Sequence, residues 1–197
     1  MPGQDYQVRM KLKVLFLILT LNMSLITSAE SFGLVVHGGA GVLSGLSIER
    51  QQEIENKVKE TLISAYKILE DGGSSMDAVE FAVSEFEDST LFNAGKGSVY
   101  NSDGVQEMDA SIMNGADRSA GAVASVQIIK NPIKLARKVL EETDHVLLVG
   151  RGAEIFAKDI EETIVDRSYF HSEKNLKRLK KAKKIISDNN IIEDKIG

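Results

Sequence analysis

The chain has 197 residues, of which 43% are hydrophobic and 27% charged, with 24 Lys and Arg against 29 Asp and Glu. Such a composition suits one domain, or a large part of one, with enough apolar material for a core, and is unlike that of a disordered chain. A formal net charge of -5 argues against nucleic acid or an anionic membrane as partner, and the lack of cysteine excludes disulfides, thiolate nucleophiles and cysteine-ligated metal sites. The three histidines, His37, His145 and His171, lack the i, i+4 spacing of a helical metal pair, which argues against a His-ligated metalloenzyme.

The amino terminus reads as an export signal. Lys11 and Lys13 form a basic start, residues 14–26 are apolar, and Thr27, Ser28 and Ala29 supply the small residues a signal peptidase needs. Cleavage is expected after Ala29, with Met10 as an alternative start. The apolar run falls short of the roughly 18 residues that a membrane span wants, so no stable anchor is expected.

Residues 33–37 (GLVVH) predict a short strand running into Gly38, Gly39, Ala40 and Gly41. The glycines bring backbone N–H groups close to a ligand or to another segment. A nucleotide loop is disfavoured, because no Lys-Ser/Thr pair follows and Ser44 stands where G-x-G-x-x-G needs its last glycine. His37 at the strand end reads as an orienting or structural residue.

Ile54, Val58, Leu62, Ala65 and Leu69 keep helical spacing from about Ser47 to Asp71, and Gly72-Gly73 stops the helix. Ser74 or Ser75 then caps a second helix whose core face is Met76, Val79, Ala82, Val83 and Phe86. At its end, by Glu87 and Asp88, the last carbonyls lack intrahelical partners, a place where a hard cation sits on main-chain oxygens.

Residues 91–115, LFNAGKGSVYNSDGVQEMDASIMNG, form the chain's most glycine-punctuated polar stretch. They read either as a functional site or, through the Asn101-Ser102-Asp103-Gly104 turn signal, as two ordinary hairpins. Residues 120–129 (AGAVASVQII) predict a buried strand. Asn131 then caps a helix with Pro132 at its first position, ending near Thr143. Residues 145–149 predict another strand, and Gly150-Arg151-Gly152 opens a helix, with Ile155 where a dinucleotide turn needs glycine. From Ser172 the run Lys174, Lys177, Arg178, Lys180, Lys181, Lys183 and Lys184 has no interleaved aromatic residue, so a solvated helix or linker is favoured over a nucleic-acid arm. Together these elements give an α+β or layered α/β fold class.

Taken together, HGGAG at 37–41, LFNAGKGSV at 91–99, EMDASIMNG at 107–115, AGAVASV at 120–126, NPIKLARKV at 131–139 and HVLLVGRGAEIFA at 145–157 resemble the plant-type asparaginase / isoaspartyl peptidase family. The resemblance implies the αββα sandwich of N-terminal nucleophile hydrolases, with residues 30–157 as the α-subunit core and residues 158–197 as a basic linker. It also implies a precursor that cuts itself after Gly197. The freed threonine then heads a β subunit, two copies of each subunit assemble as an (αβ)2 heterotetramer, and L-asparagine or β-aspartyl dipeptides are the substrates. The nucleophile and the substrate-binding groups would lie beyond Gly197. Asn93 and Gly39 match family positions flanking the nucleophile. The main-chain carbonyls of Phe86, Glu87, Ser89, Phe92, Ala94 and Lys96 match a sodium-binding loop, and no organic cofactor is implied. Lys96 departs from the apolar residue of many relatives, which leaves a carbonyl ligand unaffected. The alternatives are a glycosylasparaginase-like amidase, which lacks the NAG of the Asn93 loop, a threonine aspartase, and a truncated or inactive member acting only as a binding partner.

Overall fold

A computed structural model describes residues 32–39 and 45–196, with side chains through Asp188. The signal segment, Ala40 to Ser44 of the glycine run, and Gly197 lie outside the described residues. The chain divides into a unit ending at Gly33 and a unit that starts at Leu34, to which everything below refers.

Five α-helices are described: α1 (Ile48–Glu70), α2 (Ser75–Glu87), α3 (Pro132–Glu142), α4 (Gly150–Asp159) and α5 (Glu173–Ile196). Their starts follow the local chemistry. The Ser47 hydroxyl accepts the Arg50 N–H, and Ser74 forms a full capping box with Asp77, so that two otherwise orphaned N–H groups are satisfied. α1 ends at Asp71 and Gly72, the latter at φ 85°, a conformation that glycine adopts without strain. At α3 the expected cap is replaced: Pro132 sits at the first turn, but the Asn131 side chain makes no capping bond and its Nδ2 donates to Asp88 Oδ1 at 3.1 Å.

Three strands, β1 (Met108–Met113), β2 (Ala120–Val126) and β3 (Leu147–Val149), form one sheet in that order. β1 and β2 are antiparallel; β3 runs parallel to β2, reached by the α3 crossover. The expected strand over 120–129 ends at Val126, and within it the ladder shifts register between Met108 and Ala110, where Ser125 stands at φ 56°. Its N–H donates to Asp109 Oδ1 (2.8 Å) and its hydroxyl to Glu107 Oε1 (2.7 Å), which hold the bulge in place.

One face of the sheet is closed. Met108, Ile112, Val123 and Val126 join Ile133, Leu135, Ala136 and Val139 of α3 and Ala153 and Ala157 of α4 in a single core. Gly121 permits the closest approach, since a Cβ there would collide with the Ala136 carbonyl and Leu140. The opposite face carries Ser111, Ala122 and Ala124, together with Met113, Leu147 and Val149, which are 58%, 51% and 54% exposed. The layered sandwich expected from the resemblance has one sheet and one covering layer among the described residues.

Two segments differ from the sequence expectation. Residues 34–37 alternate between half-buried and exposed, but no described strand pairs with them, so the expected strand is not assigned. Residues 91–107 form no hairpin; they fold as a turn around the 3-10 helix Gly95–Gly97. Beyond α4, the 3-10 turn Arg167–Phe170 places Phe170 in the core at 1% exposure, and Ile129 bridges Ile164.

Candidate functional site

The end of α2 delivers Phe86, Glu87 and Asp88 into the turn that carries Asn93. Gly95 and Gly97 make that turn possible. A Cβ on Gly95 would strike the Glu87 carbonyl, and one on Gly97 would strike the carbonyls of Phe92 and Ser89. The Glu87 carbonyl therefore lies against Gly95, and the Ser89 and Phe92 carbonyls against Gly97. None of these three, nor that of Lys96, accepts a hydrogen bond among the described residues. The Phe86 and Ala94 carbonyls accept from Ser89 N–H (3.2 Å) and Gly97 N–H (2.8 Å), each leaving a second lone pair. Neutral oxygens crowded in this way, without donors, fit a hard monovalent cation.

The Glu87 side chain points the other way. It is 3% exposed, and its Oε1 accepts the Ile133 N–H at 3.0 Å at the start of α3, while Oε2 has no partner. Burial pushes its carboxyl up to about 8, against the pull of the Ile133 N–H and Asn131. Next to it, burial alone would raise Asp88, but Lys130 (2.8 Å) and Asn131 outweigh burial and hold it below the usual carboxylate range. Tyr169 O–H reaches the same carboxylate at 3.5 Å, and Lys96 Nζ lies 5.2 Å from the Tyr169 ring centroid.

Asn93 is exposed, and its Oδ1 accepts the Val99 N–H at 2.9 Å. That bond fixes the side chain and leaves the Nδ2 amide without a partner among the described residues. Gly38 lies against the residue before Asn93: a Cβ on Gly38 would stand 3.1 Å from Phe92 Cε1. Gly39 follows at φ 92°, its N–H donating to His37 Nδ1 at 3.1 Å, so His37 orients a turn. Thus Asn93 and Gly39, far apart in sequence, belong to adjoining segments. The expected cleavage position, Gly197, lies outside the described residues.

Two residues that lock this turn carry no sequence signal of their own. Asn175, buried in the first turn of α5, donates from Nδ2 to Gly97 O (3.0 Å) and Ser98 O (3.1 Å). Gln106, also buried, donates from Nε2 to Ser98 O and Phe170 O, both at 2.7 Å. The Ser172-x-x-Asn175 spacing at the head of a helix, where Asn175 N–H donates to Ser172 Oγ at 3.3 Å, is the one hint available for Asn175.

With this geometry in place, the whole stretch of residues 30–196 matches the asparaginase family. The chain belongs to that family. It is 48% identical over 151 residues to the isoaspartyl peptidase/L-asparaginase of Rattus norvegicus, covering 73% of this chain and 45% of that protein. To the isoaspartyl peptidase/L-asparaginase of Homo sapiens it is 47% identical over 149 residues, 76% of this chain and 48% of the relative. It is 52% identical over 125 residues to the plant-type L-asparaginase of Pyrococcus horikoshii, 64% of this chain and 40% of the relative. This asparaginase-family chain therefore spans about half the length of the curated relatives it matches.

Proposed function

We propose that this chain is the α subunit of an isoaspartyl peptidase/L-asparaginase that hydrolyses β-aspartyl dipeptides and L-asparagine. The observation that carries the reading is the match of residues 30–196 to the asparaginase family, at 47–48% identity to relatives named for that activity. Because the match spans under half of those relatives, the remaining machinery is assigned to a β subunit from the same precursor. Two features favour such a partner: the open face of the sheet with its exposed apolar residues, and segment 34–37, which alternates in burial and pairs with no described strand. In this reading the α and β chains complete an αββα sandwich and assemble as (αβ)2.

The nucleophile in this reading is a threonine freed after Gly197. Its α-amine takes the hydroxyl proton as the oxygen attacks the side-chain amide or β-peptide carbonyl of the substrate. The amine then gives that proton to the leaving nitrogen, releasing ammonia or an amino acid, and water hydrolyses the acyl-enzyme. Asn93 supplies an amide N–H donor beside the nucleophile, and Gly39 a backbone approach without side-chain bulk. The carbonyls of Phe86, Glu87, Ser89, Phe92, Ala94 and Lys96 would hold a sodium ion, which stiffens the turn that presents Asn93; no organic cofactor is used. Export by the signal segment would place the enzyme in a periplasmic or secreted setting.

The test is expression of the complete reading frame. Two bands on a denaturing gel, with ammonia release from L-asparagine and cleavage of a β-aspartyl dipeptide, are expected. Asn93→Ala should lower kcat or stall processing by about a hundredfold while thermal melting is retained. An uncut, inactive product would sink the reading, and so would normal processing and turnover in Asn93→Ala.

A further inference from the structure

We propose that the cavity between residues 100–106 and the 167–171 turn binds a small organic carboxylate. The cavity encloses about 300 Å³ and is lined in part by Tyr100, Val105, Gln127, Arg167, Phe170 and His171. It has no part in the hydrolysis proposed above and does not rest on that reading.

Charge comes first. The chain carries 29 acids and a net charge of -5, yet no Asp or Glu lines this cavity, whereas Arg167 does; the acid nearest to its histidine is Glu173, 3.6 Å from His171 Nε2. Arg137 is held by Asp77, Glu80 and Glu141, and Arg50 by Glu53, but the Arg167 guanidinium makes no ion pair among the described residues. Its sequence neighbour Asp166 feels the Arg167 charge but commits an oxygen to the Ser168 N–H at 2.8 Å, and no bonded pair forms between them. A planar fork of donors with no bonded acceptor is what a carboxylate fits.

The second donor follows from proton counting. Tyr100 Oη and His171 Nδ1 are 3.0 Å apart, and Tyr100 Oη also accepts the Ser172 N–H at 3.2 Å. If the phenol donates to Nδ1, the Nε2–H of His171 is left over; if Nδ1–H donates instead, the phenol O–H is left over. Either tautomer leaves one polar hydrogen for a ligand. Glu173, 3.6 Å from Nε2, is too far to take it as a hydrogen bond.

The walls are fixed by construction. Gln106, in the lining, donates to the carbonyl of Phe170, also in the lining, and to Ser98 O. Val105 and Phe170 are apolar, so a ligand that covers them needs a short hydrocarbon body as well as its charge. A cavity this small admits on the order of ten non-hydrogen atoms. A branched or aromatic monocarboxylate meets these demands; inorganic phosphate leaves the apolar wall uncovered and asks for more donors than two groups provide.

The product of the complete reading frame is titrated with isovalerate, benzoate, inorganic phosphate and tetramethylammonium, followed by ligand-observed NMR. Saturable binding of isovalerate or benzoate with Kd near 1 mM is expected, on the order of 4 kcal/mol. Arg167→Gln should weaken it by about tenfold or more, with an unchanged melting temperature because that side chain holds nothing else together. Asn93→Ala, which lies outside the cavity, should leave it intact. The proposal is overturned if neither carboxylate saturates, if phosphate or tetramethylammonium binds more tightly than both, or if Arg167→Gln binds as well as the unmodified protein. Loss of binding in Asn93→Ala but not in Arg167→Gln would place the ligand elsewhere and overturn it equally.

Discussion

The two faces of the small sheet are written in the same strands by the same alternation, yet they are finished in opposite ways. On the closed side Val123 and Val126 are 1% and 0% exposed, against α3 residues Leu135, Ala136 and Val139 that are all 0% exposed. On the open side Ser111, Ala122 and Ala124 stand with one charged residue, Asp109, and are flanked by Met113, Leu147 and Val149, each more than half exposed. A face that faces water for good is expected to alternate to polar residues. Small and apolar residues left open are instead the make-up of a face suited to a covering layer. The difference teaches which face this chain closes by itself.

The largest break of that contrast is on the closed side. Gly121→Val places atoms where the Ala136 carbonyl and Leu140 already are, so α3 has to lift off β2. Loss of roughly 3 kcal/mol or more is expected, enough to prevent recovery of soluble protein, checked by chemical denaturation of whatever is recovered. Next is Leu135→Ala, which empties a fully buried position with no water access. It should cost about 3 kcal/mol, read as a lower denaturation midpoint at unchanged m-value.

Smaller again is the polar tie that holds α3 to α2. Asp77 is drawn down to about 2, first by Ser74 in the capping box and then by Arg137 at 2.8 Å. A carboxyl whose folded value lies below its unfolded one adds stability above about pH 4, and that stability is lost as pH falls through about 2. The side chain is 44% exposed, so solvent screening keeps the effect modest. The expected result is a melting temperature that falls from pH 5 to pH 2 less steeply in Asp77→Asn than in the unmodified protein. Equal slopes would remove Asp77 from the account.

What the sequence made legible follows the same division between local and distant causes. Ser47, Ser74, Pro132 and the Gly72-Gly73 stop mark helix ends through contacts within four residues, and they stand where expected. Distant partners were not legible. Asn131 reads as a cap, but Asp88, 43 positions away in sequence, takes its amide. Residues 34–37 have the pattern of a strand, but pairing is a property of two segments and only one is described. Phe170 and Asn175 sit in or beside a basic run whose composition signals solvent; Asn175 is held by the carbonyls of Gly97 and Ser98, more than 70 residues earlier, and Phe170 joins the core built by β1, β2, α3 and α4. The Asn93 turn was found by its glycines, while the reason for those glycines, the carbonyls of Glu87, Ser89 and Phe92, appears only in three dimensions.

The smallest expected effect on the chain itself is also the sharpest test of the contrast. Leu147→Ser with Val149→Ser changes two exposed side chains of an edge strand that make no part of the closed core. If the open face ends in water, both replacements should be tolerated within about 0.5 kcal/mol each, and nothing else should change. If it is a face to be covered, the same pair should leave the fold of this chain intact and yet weaken its assembly with the rest of the precursor. Size-exclusion chromatography of the full-length product separates the two cases. A shift from the assembled to the smaller species, at unchanged circular dichroism of this chain, is the expected outcome. Each of these half-exposed side chains, if covered, contributes on the order of 1 kcal/mol that the chain alone never shows. An assembly unaffected by both serines would mean that the open face is finished as it stands.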